Sequence, residues 1–450
     1  MKHDLLVSGG LVVYPEKTLR ADVAVDGERI AAVAAPGELS GKRMIDASGC
    51  LVLPGLIDPH THPVYLDDIA SLSRSAAYGG VTTIVHYAYA KPGQSLLAEL
   101  GKMRAEGEAG SCSDFALHGG LFDTMKQAEE IPGAFALGVT SFKMFMAYAK
   151  LKWMTDDYAM ARAMDLIGRQ GGLACIHAET GLAIDYIQDR LLAEKADFAE
   201  RFLETSPDVA EAEGIFRAVS IGRLMGCPVY IPHVSSAEGL AVIRFLRQRG
   251  ARLYAETCPQ YLGLTWEELK GRGALGKVGP AIKTEADRLA LWEAAGSGLL
   301  DTIGSDHAPK PKTVEEDFFK AAYGSPEVET MLPVVWHYGV NAGRITSNAA
   351  AALLAQNSAR IFGLAPRKGR VEAGADADLV VFDPAEPWTV TASGQHTRAT
   401  YSLFEGRQVV GRVKKVLAGG RLLVDGEEFL GQSGRGRFLP TQAGKGRGKK

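Results

Sequence analysis

The chain has 450 residues, 46% of them hydrophobic and 23% charged, with a formal net charge of -3. That length exceeds one small core and predicts roughly two or three folded units. The pI near 6.4 gives no basic footprint for nucleic acid, and no apolar run is long enough to span a bilayer.

The opening segment, Met1-Lys-His-Asp-Leu-Leu-Val-Ser-Gly-Gly, holds an apolar run too short for a secretion signal. Cysteines at 50, 112, 175, 227 and 258 are scattered, odd in number and without a CxxC pair. They read as reduced, mostly buried thiols of a cytoplasmic protein.

Residues 4–50 read as short strands broken by Gly-rich turns, and Asp26-Gly27 marks a hairpin. The end of the chain has the same character, at Asp378-Leu-Val-Val-Phe-Asp and Lys415-Val-Leu-Ala-Gly-Gly-Arg-Leu-Leu-Val. Leu5-Leu-Val-Ser-Gly-Gly-Leu-Val-Val resembles Val416-Leu-Ala-Gly-Gly-Arg-Leu-Leu-Val. One β-sandwich built from both termini is expected, from residues 1–54 and 366–430.

The middle, residues 55–365, alternates. Short apolar strands recur at Ile57, Val81, Asp114, Thr140, Leu173, Val229, Arg252 and Thr302. Amphipathic stretches such as Asp208–Met225 and Ala237–Arg249 lie between them, with apolar residues three and four apart. Eight strands alternating with helices predict a (β/α)₈ TIM-like barrel. A doubly wound sheet is the competitor, but no Gly-rich dinucleotide fingerprint follows the first strand. Residues 431–450, rich in Gly, Arg and Lys, read as a C-terminal tail, solvated near Gly444–Lys450.

Polar residues fall at the strand ends. The first apolar run closes on His60-Thr-His62, and side chains two apart on a strand point the same way. Lys143 ends the fourth strand, His177 the fifth, His233 the sixth and Asp306 the eighth. Active sites of such barrels are built at this end. Four histidines, an aspartate and a lysine would therefore meet at one mouth, and the histidine pair suggests part of a metal site. A lysine at a strand end ordinarily reaches for solvent. Beside metals, a neutral amine can instead add CO₂, giving a carbamate able to bridge two ions. His86 and His118 read as packed, hydrogen-bonded histidines, and Cys258 as structural.

These motifs carry a resemblance. Gly55-Leu-Ile-Asp-Pro-His-Thr-His, the Lys143 segment, His177-Ala-Glu, His233-Val-Ser and Gly304-Ser-Asp-His-Ala-Pro are similar to those of the amidohydrolase superfamily. So are Glu256-Thr-Cys-Pro-Gln-Tyr-Leu, Asn357-Ser-Ala-Arg-Ile-Phe-Gly-Leu and Gly374-Ala-Asp-Ala-Asp-Leu-Val-Val-Phe-Asp. Within that superfamily the chain resembles the cyclic-amide hydrolases, namely dihydropyrimidinase (hydantoinase), allantoinase and dihydroorotase.

The resemblance implies a centre of two divalent metal ions, usually zinc. His60, His62, carbamylated Lys143 and Asp306 would hold one ion; His177, His233 and the same carbamate would hold the other. A metal-bridging hydroxide would then open the C–N bond of a cyclic ureide. Asp58 is expected to hold a histidine's other N–H. Tyr148 is expected to donate to the substrate carbonyl, and Asp306 to move the proton as well as ligate. Gly279 and Tyr323 match positions whose backbone grips the ureide, and His307 is expected to orient Asp306 or touch substrate. The expected partner is a small-molecule ureide, with neither nucleic acid nor membrane, and the chain is expected to form a homo-oligomer, a dimer or tetramer.

There are departures. Dihydroorotases carry an arginine shortly after the His-x-His pair. Here Pro63-Val-Tyr follows, with no basic residue before Arg74, so a neutral ureide is expected. The His62–Gly79 stretch is shorter than in typical hydantoinases, which predicts relaxed selection on the ring substituent. The Gly-Ser-Asp-His-Ala-Pro motif is closer to allantoinases and dihydroorotases, the tyrosine segment and Glu-Thr-Cys-Pro-Gln-Tyr are closer to hydantoinases, and allantoinase is the runner-up. All six ligand positions are intact, unlike those of non-catalytic scaffold homologues. Lys143 argues against a one-metal deaminase.

Overall fold

The computed structural model describes residues 2–443. Its centre is a sheet of eight parallel strands: β1 (Leu56–Thr61), β2 (Val81–Ala90), β3 (Asp114–Leu121), β4 (Ser141–Phe145), β5 (Leu173–His177), β6 (Val229–Ile231), β7 (Leu253–Thr257) and β8 (Thr302–Ile303). They pair in chain order. Beyond the last strand, His307 bridges in parallel to Thr61, and the His62 amide donates to the His307 carbonyl at 3.0 Å. The sheet thus curls into a nearly closed TIM barrel.

The strands read as continuous apolar runs because both faces are covered, as parallel sheets require. Helices cover the outer face, and their starts are written in the sequence. Asp68 caps the helix Ile69–Tyr78 by accepting from the Ser71 amide, and Thr284 forms a capping box with Asp287 at the start of Glu285–Ser297. The helices Asp208–Leu224 and Ala237–Gln248 lie where the apolar spacing puts them.

The remaining strands form two sheets. Four N-terminal strands make one, and the other joins Leu11–Val13, Thr18–Arg20 and Leu51–Pro54 to Leu379–Thr389 and the strands after it. Val7, Val23, Val25, Val52, Leu379, Val381 and Leu417 share one core between the sheets. The two similar Gly-Gly segments do different work. Gly419-Gly420 turns an antiparallel hairpin, whereas Gly9-Gly10 carries the chain from one sheet to the other. At Gly55 the chain leaves the sandwich for β1, and a Cβ there would lie 2.1 Å from Thr82 Oγ1. Only glycine permits that approach.

Part of the expected tail is packed against the barrel. The Leu439 amide donates to the Phe115 carbonyl at 2.7 Å, and Thr441 Oγ1 lies 2.9 Å from Thr140 Oγ1. The segment Gly444–Lys450 lies outside the described residues.

Candidate active site

The polar residues at the ends of β1, β4, β5, β6 and β8 converge as the strand pattern predicts. They line one cavity of about 420 Å³, together with Tyr148, Gly279, Tyr323 and an aromatic wall of Tyr89, Phe122, Phe145 and Trp153.

His60 and His62 both face Asp306. Their Nε2 atoms lie 3.1 and 2.9 Å from one Asp306 oxygen. On the opposite side, His177 Nδ1 lies 3.1 Å from His233 Nε2. Three of these residues depend on backbone strain or carboxylate anchors for their aim. Asp306 and His233 have φ of 51° and 44°, in the left-handed region that side chains usually avoid. Tyr148, with φ of 66°, shares it. Such strain persists where surrounding structure fixes it, and it collects at functional sites. His177 is held by Glu179, which accepts from its Nε2 at 2.7 Å.

Lys143 is 1% exposed, and its Nζ stands 5.2 Å above the rings of Tyr87 and Phe145. Burial pulls its amine down to about 8, so an appreciable neutral fraction exists near neutrality. For Asp306, burial favours the neutral acid, but the charge of His60 and the hydrogen bonds from His60 and His62 outweigh it and hold the carboxyl well below its usual range. His60 shows the reciprocal effect: burial opposes protonation, and Asp306 and Glu256 overcome it to about 9. His62 has less help, and burial takes it to about 4.

The donor set fits divalent cations. The ligand atoms of His60, His62 and Asp306 all lie within 4.8 Å of one another. His60 Nε2 is buried and, although 3.1 Å from Asp306, makes no well-aligned hydrogen bond, an arrangement that a metal would relieve. The pair His177 and His233 offers two nitrogens and needs a third donor; Lys143 lines the same cavity and acts by charge on both His62 and His233.

Several expectations change. Asp58 does not hold a histidine ring. Its Oδ1 accepts from the backbone amides of His60 and Ser305, both at 3.0 Å. The residue on His60 is Glu256, at the end of β7, which accepts from His60 Nδ1 at 2.6 Å. Glu256 opens the segment Glu256-Thr-Cys-Pro-Gln-Tyr-Leu, and no role was expected of it from the sequence. Its position at a strand end was the available signal. His307 does not line the cavity. Its Nε2 donates to Asp67 at 2.9 Å, and its Nδ1 accepts from the Val328 amide, which leaves no ring nitrogen for substrate. His86 and His118 are packed as expected, on Thr61 and on Ser141 with the Pro59 carbonyl. Tyr65, Tyr89 and Lys310 line the cavity without having been foreseen.

The wall formed by Gly279, Tyr148 and Tyr323 is closely fitted. A Cβ at Gly279 would lie 2.9 Å from Tyr148 Oη and 3.0 Å from the Tyr323 ring. Burial raises the Tyr148 phenol well above its ordinary value, so it remains a donor at any physiological pH.

Residues 51–423 match the model of the amidohydrolase family. A D-hydantoinase of Streptomyces coelicolor is 33% identical, over 98% of this chain and 98% of its own. A dihydropyrimidinase of Rattus norvegicus is 32% identical, over 97% of this chain and 89% of its own. The solved D-hydantoinase of Bacillus sp. AR9 superposes with a TM-score of 0.92 at 34% identity, covering 97% of this chain and 99% of that one.

Proposed function

The chain belongs to the amidohydrolase family, and from that premise we propose that it hydrolyses the amide C–N bond of a cyclic ureide, of dihydropyrimidine or hydantoin type, to an N-carbamoyl amino acid. The observation that carries this reading is the convergence of His60, His62, Asp306, His177 and His233 around a buried Lys143 at one barrel mouth. The hydantoinase and dihydropyrimidinase relatives support it over 98% and 89% of their own lengths.

The residues that would hold two divalent cations, zinc in this reading, are His60, His62 and Asp306 for one and His177 and His233 for the other, with carbamylated Lys143 shared. Bound there, the ions would lower the pKa of a water and polarise the substrate carbonyl. Glu256 and Glu179 accept from His60 Nδ1 and His177 Nε2, which orients the rings so that the opposite nitrogens would serve as ligands. Tyr148 donates its phenolic hydrogen to the carbonyl oxygen as negative charge develops. Asp306 takes the proton of the attacking water and delivers it to the departing ring nitrogen. The hydroxyl ends on the carbonyl carbon and the hydrogen on nitrogen, so the ring gains one water. The backbone at Gly279 and Tyr323 would hold the ureide edge.

The reading extends to a cytoplasmic homo-oligomer. No disulfide joins the cysteines among the described residues, and Tyr158, Leu182, Tyr186, Val209 and Leu224 are exposed apolar side chains of the kind a subunit contact covers.

The test is a panel of dihydrouracil, hydantoin, 5-phenylhydantoin, allantoin and dihydroorotate, each scored for ring opening by kcat/KM. A hydantoin or dihydrouracil should lead. Allantoin in first place would favour allantoinase, and dihydroorotate in first place would overturn the reading.

A further inference from the structure

The first loop brings no positive charge to the cavity, because no basic residue lies between His62 and Arg74. The fold supplies one from elsewhere. Lys310 follows Asp306 on the segment leaving β8 and lines the same cavity as His62, Tyr65 and Tyr89. Its Nζ stands 4.1 Å from the centre of the Tyr65 ring. The Leu66 amide donates to the Pro309 carbonyl at 3.1 Å, which ties the two segments and keeps ring and ammonium together.

The other lysines around this cavity are committed. Lys150 pairs with Asp189 at 2.5 Å, Lys277 donates to the carbonyls of Phe318 and Phe319, and Lys320 faces Asp317 at 3.7 Å. Lys310 has no carboxylate within 4.0 Å among the described residues, and Asp306 acts on it by charge at longer range. Burial lowers its amine to about 8. A half-buried cation on an aromatic face gains something from the ring, but it lacks the counter-charge that would offset its lost hydration. An anion entering the cavity would supply that charge.

We propose that Lys310, backed by Tyr65, is a specificity-determining residue that receives an anionic substituent, a carboxylate carried on an arm off the substrate ring. The proposal rests on the ring-opening reading above and replaces the expectation of a neutral substrate drawn from the first loop.

The test compares hydantoin bearing a 2-carboxyethyl group at position 5 with the corresponding primary amide, which has the same shape without the charge. The ratio of kcat/KM, acid over amide, should be about 10- to 100-fold in the parent enzyme, the range of a charge-assisted hydrogen bond. The ratio should fall towards one in Lys310→Met and below one in Lys310→Glu. A parent ratio near one, or one that Lys310→Met leaves unchanged, overturns the subsite. If the amide is opened in that case, the ring-opening reading stands alone. If no ring is opened, both fall.

Discussion

Glu256 accepts from His60 Nδ1 at 2.6 Å and from the Tyr230 hydroxyl at 2.6 Å, with all three side chains buried. The first bond occupies His60 Nδ1 and turns Nε2 towards Asp306 and the ligand cluster, where a bound cation would displace the second ring proton. Glu256→Gln keeps the shape and removes the charge. Metal affinity, measured by competition with a chelator, should fall about 10- to 100-fold. Unchanged affinity would show that the histidine needs no such anchor.

Asp306→Asn retains an oxygen that can ligate but cannot carry the proton. The expected fall in kcat is roughly 10²–10⁴-fold. Tyr148→Phe removes a single donor, and kcat should fall on the order of 10²-fold or more. An unchanged kcat in Tyr148→Phe would reduce that ring to packing against Gly279 and His177.

Gly279→Ala places a methyl 2.9 Å from Tyr148 Oη and 3.0 Å from the Tyr323 ring. The rings must move by a few tenths of an ångström, at a point where positioning governs rate. A loss of up to about 10²-fold in kcat/KM is expected, without a comparable loss of thermal stability. Equal activity would mean that this wall yields freely.

Away from the site, Lys368 is buried among Asp114, Asp376 and Asp378, at 2.8, 3.0 and 2.7 Å. Lys368→Met leaves the carboxylates without that cation and should cost about 3–5 kcal/mol, read by chemical denaturation. The acid dependence follows from Asp114. Burial opposes its ionisation, but Lys368 and Arg437 outweigh that and lower its folded pKa. Such a group adds stability above its unfolded value of about 4 and loses it as the pH falls through the folded value. The gap between parent and variant should therefore be widest near neutrality and narrow below about pH 4. A gap independent of pH would remove the charge from the explanation.

The barrel was legible because each strand is an apolar run and each ligand follows one directly. The meeting of His60, His62 and Asp306 needed only strand alternation and the common mouth. What the sequence concealed depends on contacts between distant segments. His307 stands beside Asp306 in the chain, yet its ring turns to Asp67, which the first loop presents to it. Glu256 is far from His60 in sequence and meets it across the barrel. Lys310 is not legible from the first loop, because charge reaches the cavity from the segment after β8. Gly9-Gly10 and Gly419-Gly420 look alike, and only sheet pairing separates a crossing from a hairpin.

The central claim is that six strand-end residues form a two-metal centre that opens a cyclic ureide, with Lys143 as the shared ligand. The most direct measurement is ring opening of dihydrouracil and 5-phenylhydantoin by protein prepared with zinc and bicarbonate, beside Lys143→Ala prepared identically, with the metal content of each determined. The account predicts about two metals per chain and ring opening in the parent, and loss of most metal and activity in the variant. A Lys143→Ala protein that opens the ring at the parent rate would contradict it.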